Sequence, residues 1–425
     1  MGSLATATYN GLFPRRSRLA TPVRDRAAEA DELVQRLLAS GLRGRGGGWF
    51  PAGRKWRAVR AEGGEPLVVA NGAEGEPGSV KDRFLMLTRP ADVLAGVELA
   101  AQALGATEAV VYLKGSFAAP AAALERARRG RPSAGVSIAI RRGDDTYIAG
   151  EETAVLETLE GRRAWPRPKP PLPAAVGFRG RPTLVQNVET LALVPAAVRD
   201  PEGFRAAETT LVSLWGYVRR PGVYAVPLGT PLRQVIEAHG LGPTDGLGMI
   251  LPAGPSGAPL APEQADTPLD PDALRAAGSA LGTAAVLVIG ESACPLAVGL
   301  SAAAFFERES CGQCPPCTAG TANLARVMRA LEGGGARAKD VHDLREAAGF
   351  MGDHGYCAHA RTAAACLTGL LARFPAEVER HLEARGCPRR PAGRPDPFQP
   401  GSPERAAIEA VLRPLEADAL RAERA

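Results

Sequence analysis

Residues 67–78 read LVVANGAEGEPG, an apolar run that stops abruptly in a loop of glycines and carboxylates. Four consecutive apolar residues followed by such a loop indicate a short buried strand. The apolar spacing over 91–104 then predicts a helix, and the apolar run at 109–113 predicts a second strand. Strand, helix and strand in this order predict a βαβ unit with a parallel sheet, and hence an α/β domain.

The sequence on both sides of this unit extends the same domain. Residues 28–39, AEADELVQRLLA, predict an amphipathic helix, which runs into the glycine-rich segment at 41–48. Residues 136–140 predict another strand and residues 151–160 another helix. Residues 162–182 are rich in proline and arginine, and their composition alone predicts an exposed linker.

The rest of the chain changes character twice. Short apolar runs alternate with turns and precede a helix at 231–238, an order that predicts a small β-grasp-like domain. Leu324, Val327 and Met328 begin a series of apolar residues at steps of three and four, which predicts helices. The predicted domains are an α/β domain at 1–205, a β-grasp domain at 206–265, a helical domain at 266–387 and a tail with a terminal helix at 388–425.

Composition excludes several classes of function. The 425 residues carry 51 lysines and arginines against 46 acidic residues, a formal charge of +5 that is small for this length and does not favour nucleic acid. The sequence has no run of 18 apolar residues, so we expect no direct membrane insertion. All seven cysteines lie beyond residue 293, and several are too close together for a disulfide framework, which predicts a reducing, cytoplasmic setting.

The strongest chemical motif is ESCGQCPPC at 309–317. A turning backbone can direct Cys311, Cys314 and Cys317 towards one centre, and Cys357 can supply a fourth sulfur. Iron–sulfur clusters favour all-thiolate sets of this kind, whereas four-cysteine zinc sites more often combine two separated pairs. The spacing therefore favours a cluster over zinc.

The remaining cysteines and the histidines near the motif have plainer interpretations. His354 and His359 flank the fourth cysteine and are alternative ligands, although histidines in such places more often lie around a site than in it. Cys294, Cys366 and Cys387 are expected to pack as small apolar residues.

Three further segments carry polar chemistry, and each has a simpler alternative. The glycine-rich segment at 41–48, followed by Lys55, can present backbone N–H groups to a phosphate, or be an ordinary turn. The loop at 71–78 follows a strand, where α/β sheets bind ligands, or is an acidic surface turn. The adjacent carboxylates in YIAGEET at 147–153 line a site, or simply suit a helix N-terminus.

Taken in order, these motifs resemble those of the family of flavin-carrying, NADH-oxidising subunits of respiratory complex I, the F type of NADH-quinone oxidoreductase. That family includes the diaphorase subunits of NAD-linked hydrogenases and formate dehydrogenases. The resemblance covers about residues 38 to 385. The matching segments are GLRGRGGGWFPAGRKW at 41–56, NGAEGEPGSVKDR at 71–83, GEETA at 150–154, EGRRAWPRPKPP at 160–171, NVET at 187–190 and ESCGQCPPC at 309–317.

The resemblance implies a Rossmann-like flavin domain, a small SLBB-like β-grasp domain and a C-terminal helical bundle that carries a [4Fe-4S] cluster. It implies FMN and NAD(H) as further cofactors, and it places 162–182 in the cofactor-binding region instead of a linker. Glu151 and Glu152 would be the catalytic residues on the nicotinamide side. The implied cofactor-binding residues are Gly44, Arg45, Gly46, Lys55, Asn71, Glu74, Glu76, Tyr147, Gly150, Glu151, Glu152, Lys169, Gln186, Asn187 and Thr190.

The chain departs from the family pattern mainly where the dinucleotide would bind. Ala73 stands for a usual aspartate, and Gln186 for a usual asparagine. Trp49 replaces a usual glycine, and we expect its ring either to stack on the adenine or to block the pocket. Ala58 and Leu172 stand where aromatic residues are frequent. A further departure is Thr318, in place of an arginine.

The resemblance also implies how electrons pass through the protein. NADH would reduce FMN, and single electrons would leave through the cluster to a second iron–sulfur subunit, either a thioredoxin-like ferredoxin type or a ferredoxin. We expect a cytoplasmic location, peripheral to the membrane only through a partner complex. Two alternatives are the same scaffold with a ferredoxin-type donor or acceptor, and a degenerate cluster-binding scaffold without NADH activity.

Overall fold

The computed structural model describes residues 26–130, 135–389 and 395–424. The strands are β1 (Leu67–Asn71), β2 (Glu108–Lys114), β3 (Ser137–Gly143), β4 (Thr183–Asn187), β5 (Thr209–Gly216), β6 (Gly222–Pro227), β7 (Met249–Leu251) and β8 (Ala285–Ile289). The helices are α1 (Arg26–Ser40), α2 (Ala52–Ala61), α3 (Lys81–Thr88), α4 (Pro90–Leu104), α5 (Ala118–Arg129), α6 (Glu152–Leu159), α7 (Val188–Arg199), α8 (Pro201–Ala206), α9 (Leu232–Gln234), α10 (Pro271–Ala276), α11 (Pro295–Arg308), α12 (Pro315–Gly333), α13 (Ala338–His354), α14 (Ala358–Arg373), α15 (Pro375–Glu383), α16 (Pro403–Glu409) and α17 (Arg413–Arg424).

The described chain divides into two compact units. The N-terminal unit runs to Gly75, continues over Val80–Thr210 and ends with the segment from Leu412. The second unit contains Glu76–Ser79 and Leu211–Val411. No described helix combines the length and the apolar character that a membrane crossing requires.

The N-terminal unit is built on a four-stranded sheet in the order β3-β2-β1-β4, and all of its pairings are parallel. The parallel βαβ arrangement predicted for this region is therefore confirmed. Strand β1 pairs with β2 on one side and with β4 on the other, so the chain reverses its winding direction at β1. In open α/β sheets, ligands bind outside the carboxyl ends of the strands at such a switch point.

Helices cover this sheet closely. At the crossing of α4 and α7, a side chain on Gly96 would collide with the backbone carbonyl of Leu191, so only glycine fits there. Helix α17 packs on α5, where Ala419 joins an apolar cluster with Ala119 and Ala123. These contacts bring the C-terminal segment into the N-terminal unit.

The proline-rich segment at 162–182 is part of this unit and is not a linker. The Arg167 backbone N–H donates to Thr153 Oγ1 at 2.8 Å, and its side chain pairs with Glu157 of α6 and with Glu160, the residue after that helix. The interpretation from composition alone is wrong, because these contacts fix the segment against α6 within the N-terminal unit.

The second unit has its own sheet, in the order β6-β5-β8-β7, followed by helices. Strand β8 pairs in parallel with β5, although its residues fall within the stretch 266–387 predicted to be helical. Short strand β7 pairs antiparallel with β8. Helices α11 to α15 pack together beyond this sheet, and Gly320 of α12 lies against Met351 of α13, with no room for a side chain. The predicted helical bundle is thus present, with one strand in its sequence range that the prediction missed.

Candidate functional site

Three predicted site residues lie at the carboxyl ends of β1 and β4. Asn71 is paired in register with Asn187, and Gln186 precedes it on β4. Asn71 Nδ2 donates to the Gly150 carbonyl at 2.9 Å, which ties this edge to the turn before α6. Because the two strands meet at the switch point, the sheet brings these residues together although more than a hundred positions separate them in the chain.

Gln186 has an unsatisfied polar atom at this edge. Its side chain is 5% exposed, and its Oε1 atom has no hydrogen-bond partner among the described residues. A buried amide oxygen without a partner costs roughly 1–3 kcal/mol, so such atoms usually have a ligand or water to bind. Adjacent space is kept by Gly44 and Gly46, since a Cβ on Gly46 would lie 3.2 Å from Asn187 Cβ. This polar, glycine-lined edge fits the ribityl and ring amide groups of FMN.

The glycine-rich segment is fixed through its backbone. Gly44 N–H donates to the Phe50 carbonyl at 2.8 Å, and Arg45 N–H donates to Thr190 Oγ1 at 2.8 Å. Thr190 is fully buried on α7, so the hydrogen bond from Arg45 anchors the loop beside β4. Gly46 and Gly48 remain exposed just before α2, where loop N–H groups and a helix N-terminus suit a phosphate.

The contacts of the Arg45 side chain indicate a structural role. It is 1% exposed, pairs with Glu208 at 2.6 Å and donates to the Thr209 carbonyl at 3.1 Å. Its guanidinium also lies 4.5 Å above the centre of the Trp49 ring. The Arg45 charge is therefore balanced by Glu208 within the N-terminal unit.

Trp49, whose effect on NADH was left open by the sequence, is 4% exposed beneath Arg45. Its φ of +50° lies in the left-handed region that favours glycine, which is the residue usual there in the family. Leu172 is exposed, at 56%, as is Ala58. The indole of Trp49 is thus packed within the N-terminal unit, with little surface to offer an adenine.

The turn before α6 holds the next group of predicted residues. Tyr147 and Gly150 bound a single 3₁₀ turn, Tyr147–Gly150, and the half-buried Tyr147 lies beside Gly75. Glu151 caps α6, because its carboxylate accepts from the backbone N–H groups of Thr153 and Ala154 at 2.8 and 3.0 Å. The simpler alternative for this carboxylate, a helix-capping role, is therefore observed.

Lys55, Glu152 and Lys169 form an ion-pair network. Lys55 Nζ lies 2.8 Å from Glu152 Oε2, and Lys169 Nζ lies 2.9 Å from Glu152 Oε1 and 2.6 Å from Glu151 Oε1. Burial alone would raise the pKa of Glu152, but the two ammonium groups outweigh it and lower that pKa to about 2. Glu152 is therefore an anion at neutral pH, able to accept hydrogen bonds but not to act as an acid.

Two predicted carboxylates have other partners. Glu74 accepts from the backbone N–H groups of Asp82 and Arg83, at 3.0 and 3.3 Å, and so caps the start of α3. Glu76 belongs to the second unit, where Ser256 Oγ donates to its carboxylate at 2.9 Å. Of the predicted cofactor residues, Glu76 is the one that the structure assigns to a different unit from the rest.

Residues KDR at 81–83 follow the loop after β1, and the sequence predicted no role for them. Lys81 is 1% exposed, and its Nζ atom lies 2.7 Å from Asp82 and 2.8 Å from Glu189. Burial would lower the pKa of Lys81, but the surrounding carboxylates outweigh it and raise that pKa. Asp82 in turn accepts from Asn187 Nδ2 at 2.7 Å, so this buried cluster holds the asparagine at the sheet edge in place. A charged Lys-Asp pair inside an apolar helix pattern is the sequence signal that could have revealed this buried cluster.

The cluster motif lies at the N-terminus of helices in the second unit. Cys314 and Cys357 are the N-cap residues of α12 and α14, and Cys317 lies in the first turn of α12. Cys311 is half-buried on the preceding loop. Burial, assisted by the nearby thiols of Cys314 and Cys357, raises the pKa of Cys317 to about 12, although a hydrogen bond with Ser310 acts the other way. The distant fourth cysteine therefore lies near the motif cysteines in this unit.

Helix N-termini carry partial positive charge, which suits an anionic all-thiolate cluster. The two flanking histidines are hydrogen-bonded elsewhere: His354 Nδ1 to the Phe350 carbonyl at 2.8 Å, and His359 Nε2 to the Phe306 carbonyl at 2.9 Å. The cysteine set therefore supplies donors that fit a four-iron cluster without a histidine ligand.

Two of the three cysteines expected to be small apolar residues have polar surroundings. Cys294 and Cys387 lie together with Glu332 and His381, and their ligand atoms are all within 4.8 Å of one another. The expectation of purely apolar packing is wrong for this pair, because carboxylate and imidazole groups occupy the same interior pocket. The spacing of His381 and Cys387, six positions apart, was the available signal.

Comparison with known proteins gives three matches to family models. Residues 37–196 match the Nuo51 FMN-binding domain, residues 211–249 the SLBB domain, and residues 297–381 the NADH-ubiquinone oxidoreductase-F iron-sulfur binding region. The first matched range contains the sheet edge, the second contains β6 and most of β5 from the second sheet, and the third contains the four motif cysteines.

Similar whole proteins extend these matches over most of the chain. The NADH-quinone oxidoreductase F subunit numbered 2 in Rhizobium meliloti (strain 1021) is 39% identical over 84% of this chain and 90% of its own length. The corresponding F subunit of Streptomyces coelicolor is 36% identical over 86% of each chain. The crystal structure of an NAD+-reducing [NiFe]-hydrogenase in the H2-reduced state superposes with a TM-score of 0.79 at 34% identity, covering 87% of this chain and 67% of that one.

Proposed function

The chain belongs to the family of NADH-quinone oxidoreductase F subunits, and we propose that the polar edge between β1 and β4 is where it holds FMN. The protein is an NADH-oxidising electron-input subunit with FMN and a [4Fe-4S] cluster. The observation that carries the site proposal is the buried Gln186 Oε1 atom, which lacks a partner among the described residues beside the glycine-lined edge.

When bound, FMN supplies hydride acceptance and single-electron release. The chain's own residues supply position and charge. We propose that Asn71, Gln186 and Asn187 bind the flavin ring and ribityl groups, and that the loop from Gly44 to Gly46 binds the phosphate side through backbone N–H groups. Asn187 is held for this role by Asp82 and by its own capping of α7.

We propose that Glu151 and Glu152 face the nicotinamide side, with Tyr147 and Gly150 shaping the turn. Hydride transfer needs no general base, which agrees with a Glu152 carboxylate that stays ionised. Glu151 already caps α6 and binds Lys169, so it holds the turn rigid. Lys55 and Lys169 hold these two carboxylates in place through their ion pairs. Thr190 anchors the glycine-rich loop, and Glu74 orders the start of α3.

For the cluster we propose Cys311, Cys314, Cys317 and Cys357 as ligands. The placement of two of them at helix N-termini supports an anionic centre. We also propose domain boundaries at 1–205 for the flavin domain and 388–425 for the tail. Because β8 pairs with β5, we move the end of the β-grasp domain from 265 to about 289, before the helical domain.

The relatives are subunits of larger enzymes, and this chain likewise works with other subunits. We propose that its electrons pass to a second iron–sulfur protein, of the thioredoxin-like ferredoxin type or a ferredoxin. Phe350 and Tyr356, 59% and 47% exposed, both precede the proposed cluster ligand Cys357 in the chain and support a docking surface there. We further propose a cytoplasmic location, with membrane association only through such a complex.

Anaerobic titration of the reconstituted full chain with NADH tests the function. We expect the flavin absorbance to bleach as NADH is added. A flavin that stays oxidised with NADH but is bleached by a reduced ferredoxin would support the alternative electron donor. A protein with cluster absorbance and no flavin would support the alternative of a cluster-binding scaffold without NADH activity. No observation on the described residues favours that alternative.

For the docking surface, Phe350→Ser with Tyr356→Ser should slow electron delivery to the partner protein while reduction of ferricyanide by NADH is unchanged. Exposed Val176, a similarly exposed apolar residue of the N-terminal unit, provides the control as Val176→Ser. Equal slowing of both acceptors would show that the aromatic residues act on the protein itself and not on docking.

A further inference from the structure

Four side chains of the second unit converge at a place separate from the cluster motif. Cys294 is the N-cap of α11, Glu332 lies in the last turn of α12, His381 lies on α15 and Cys387 follows that helix. We propose that these four residues, the second ligand set, bind a Zn²⁺ ion that fastens the helical bundle. This site goes beyond the electron-transfer function and would take no part in it.

The distances within the second ligand set match those around a single metal ion. Cys294 Sγ lies 3.4 Å from His381 Nε2 and 3.7 Å from Glu332 Oε1, and His381 Nε2 lies 3.1 Å from Glu332 Oε1. With ordinary Zn–S, Zn–N and Zn–O bond lengths, a tetrahedral site separates such atoms by about 3.3–3.6 Å. The three measured edges of the tetrahedron are therefore within a few tenths of an ångström of what zinc needs.

The orientation of His381 is a second, independent observation. Its Nδ1 atom lies 2.8 Å from the Glu377 carbonyl oxygen, to which it donates when protonated there. With Nδ1 engaged there, Nε2 is the ring nitrogen that faces Cys294 Sγ and Glu332 Oε1. Metal-bound histidines are usually held in this way, through a backbone carbonyl or carboxylate on the other ring nitrogen.

Burial and charge also favour a cation. Cys294, Glu332 and His381 are at most 3% exposed, and the Glu377 carboxylate lies a further 3.8 Å from Cys294 Sγ. Two carboxylates around a fully buried thiol are costly without compensating positive charge. Arg380 and Arg389 both pair with the Glu377 carboxylate, the second at 3.2 Å, and balance its charge.

The backbone that delivers Cys387 is held in an unusual conformation. Arg385 has a φ of +52° and Gly386 a φ of +129°, and Cys387 N–H donates to the Glu332 carbonyl at 3.1 Å. A Cβ on Gly334 would lie 2.0 Å from the Arg385 carbonyl oxygen, so the turn folds tightly over the end of α12. The left-handed arginine costs free energy, which a ligand bond from the next-but-one residue would offset.

The donor set identifies the ion and its role. Two thiolates, one imidazole and one carboxylate suit zinc, and four protein ligands leave no open position, as in structural zinc sites. On binding, the thiol protons of Cys294 and Cys387 are released to solvent and two Zn–S bonds form, with no change of oxidation state. The second ligand set also differs in spacing from the motif cysteines. Among the described residues, no other three His, Cys, Asp or Glu side chains have ligand atoms within 4.8 Å of one another.

Metal analysis of the full chain, purified with its cluster, tests the proposal. We expect zinc in a one-to-one ratio to the chain, alongside the iron of the cluster. X-ray absorption at the zinc edge should report two sulfur ligands at about 2.3 Å and two nitrogen or oxygen ligands at about 2.0–2.2 Å. This measurement needs no variant and does not depend on activity.

Variants then separate the two metal sites. Cys387→Ser and Glu332→Gln should each lose most of the zinc while keeping iron and flavin absorbance, whereas Cys314→Ser should lose iron and keep zinc. If the Cys387→Ser chain does not fold, the zinc-edge spectrum of the unaltered protein still decides. Purified protein without zinc, zinc surrounded by four sulfurs, or zinc that disappears only in Cys314→Ser would each overturn the proposal, and none of these results would touch the assignment of FMN.

Discussion

Lys55 and Glu152 form a salt bridge of 2.8 Å across 97 positions of the chain. The first residue ends the glycine-rich motif, and the second belongs to the GEET turn, which the family resemblance assigns to the nicotinamide side. Lys169 completes the network at 2.9 Å. Three motifs that look independent in the sequence are therefore joined in one ion-pair network. A change in the charge of one motif alters the ion pairs of the other two.

Glu152→Gln should weaken NADH binding while leaving the fold intact. Losing a charged acceptor at the proposed nicotinamide side costs about 1.5–3 kcal/mol, or roughly ten- to a hundredfold in Kd. Calorimetric titration of the flavin-loaded protein with NADH measures it. Glu157→Gln is the matched control, since Glu157 is on the same helix but pairs with Arg162 and Arg167. Equal losses in both variants would mean that Glu152 acts only through α6.

The lowered pKa of Glu152 predicts that the stability of the protein depends on pH. The folded pKa of Glu152, about 2, lies below its ordinary value of 4.5. A carboxyl whose pKa falls on folding stabilises the protein above its unfolded pKa, and this contribution is lost as the pH falls from about 4.5 towards 2. Urea denaturation of the unaltered chain and of Glu152→Gln should show a gap of up to about 3 kcal/mol at pH 6 that narrows below pH 4.5. A gap that widens on acidification would contradict the assigned ion pairs.

Gln186→Met should change stability and flavin affinity in opposite directions. Removing the unsatisfied Oε1 atom should raise the melting temperature of the flavin-free protein, because an orphaned buried acceptor is destabilising. Removing a flavin contact should weaken FMN binding roughly two- to tenfold, the value of one hydrogen bond. Fluorescence titration with FMN and thermal melting give the two numbers, and Gln102→Met on the exposed side of α4 is the control. Unchanged FMN affinity would remove Gln186 from the site.

Lys81→Met should destabilise the N-terminal unit strongly. Lys81 is the ammonium between Asp82 and Glu189, and removing one partner of a buried ion pair costs about 3–5 kcal/mol. The measurement is urea unfolding followed by tryptophan fluorescence. Lys339→Met removes an exposed pair with Asp343 and should leave the midpoint unchanged. A small effect of Lys81→Met would indicate that the carboxylates are protonated in the folded protein.

Cys314→Ser should abolish the paramagnetic resonance signal of the reduced four-iron cluster and lower the stability of the helical bundle, since ligation of separate segments stabilises a fold. Cys366→Ala, which removes a buried thiol from α14 away from the motif, should keep the signal. Persistence of the signal in Cys314→Ser, or its loss in Cys366→Ala, would show that the ligand assignment is wrong.

The sheet and its surrounding helices were predictable because their signals are local. The strand at Leu67–Asn71 and the helix at Pro90–Leu104 follow from apolar runs and spacing within a few residues. The family resemblance rests on motifs of the same short range. Strand β8 was missed, because a fully buried five-residue run next to helical segments has no period of its own.

The features that could not be predicted from the sequence depend on contacts between residues that are distant in the chain. Glu151 was expected to serve catalysis, and only the structure shows its carboxylate engaged in capping α6. Arg45 was implied as a cofactor-binding residue, and only the structure shows that Glu208 neutralises its guanidinium in the interior. Cys294 and Cys387 lie far apart in the chain, so the polar pocket that they share with His381 has no counterpart in any short motif.

Helix α17 packs on α5, where Arg126 donates to the Ala419 carbonyl at 3.3 Å. The residues of the second unit, Leu211–Val411, are synthesised between these two helices. On the ribosome the N-terminal unit must therefore wait, with the Ala119 and Ala123 surface uncovered, until residue 419 has emerged. The N-terminal unit therefore completes its packing only after the second unit has been synthesised, and an arrested or proteolysed chain that lacks α17 leaves an apolar face open to chaperones.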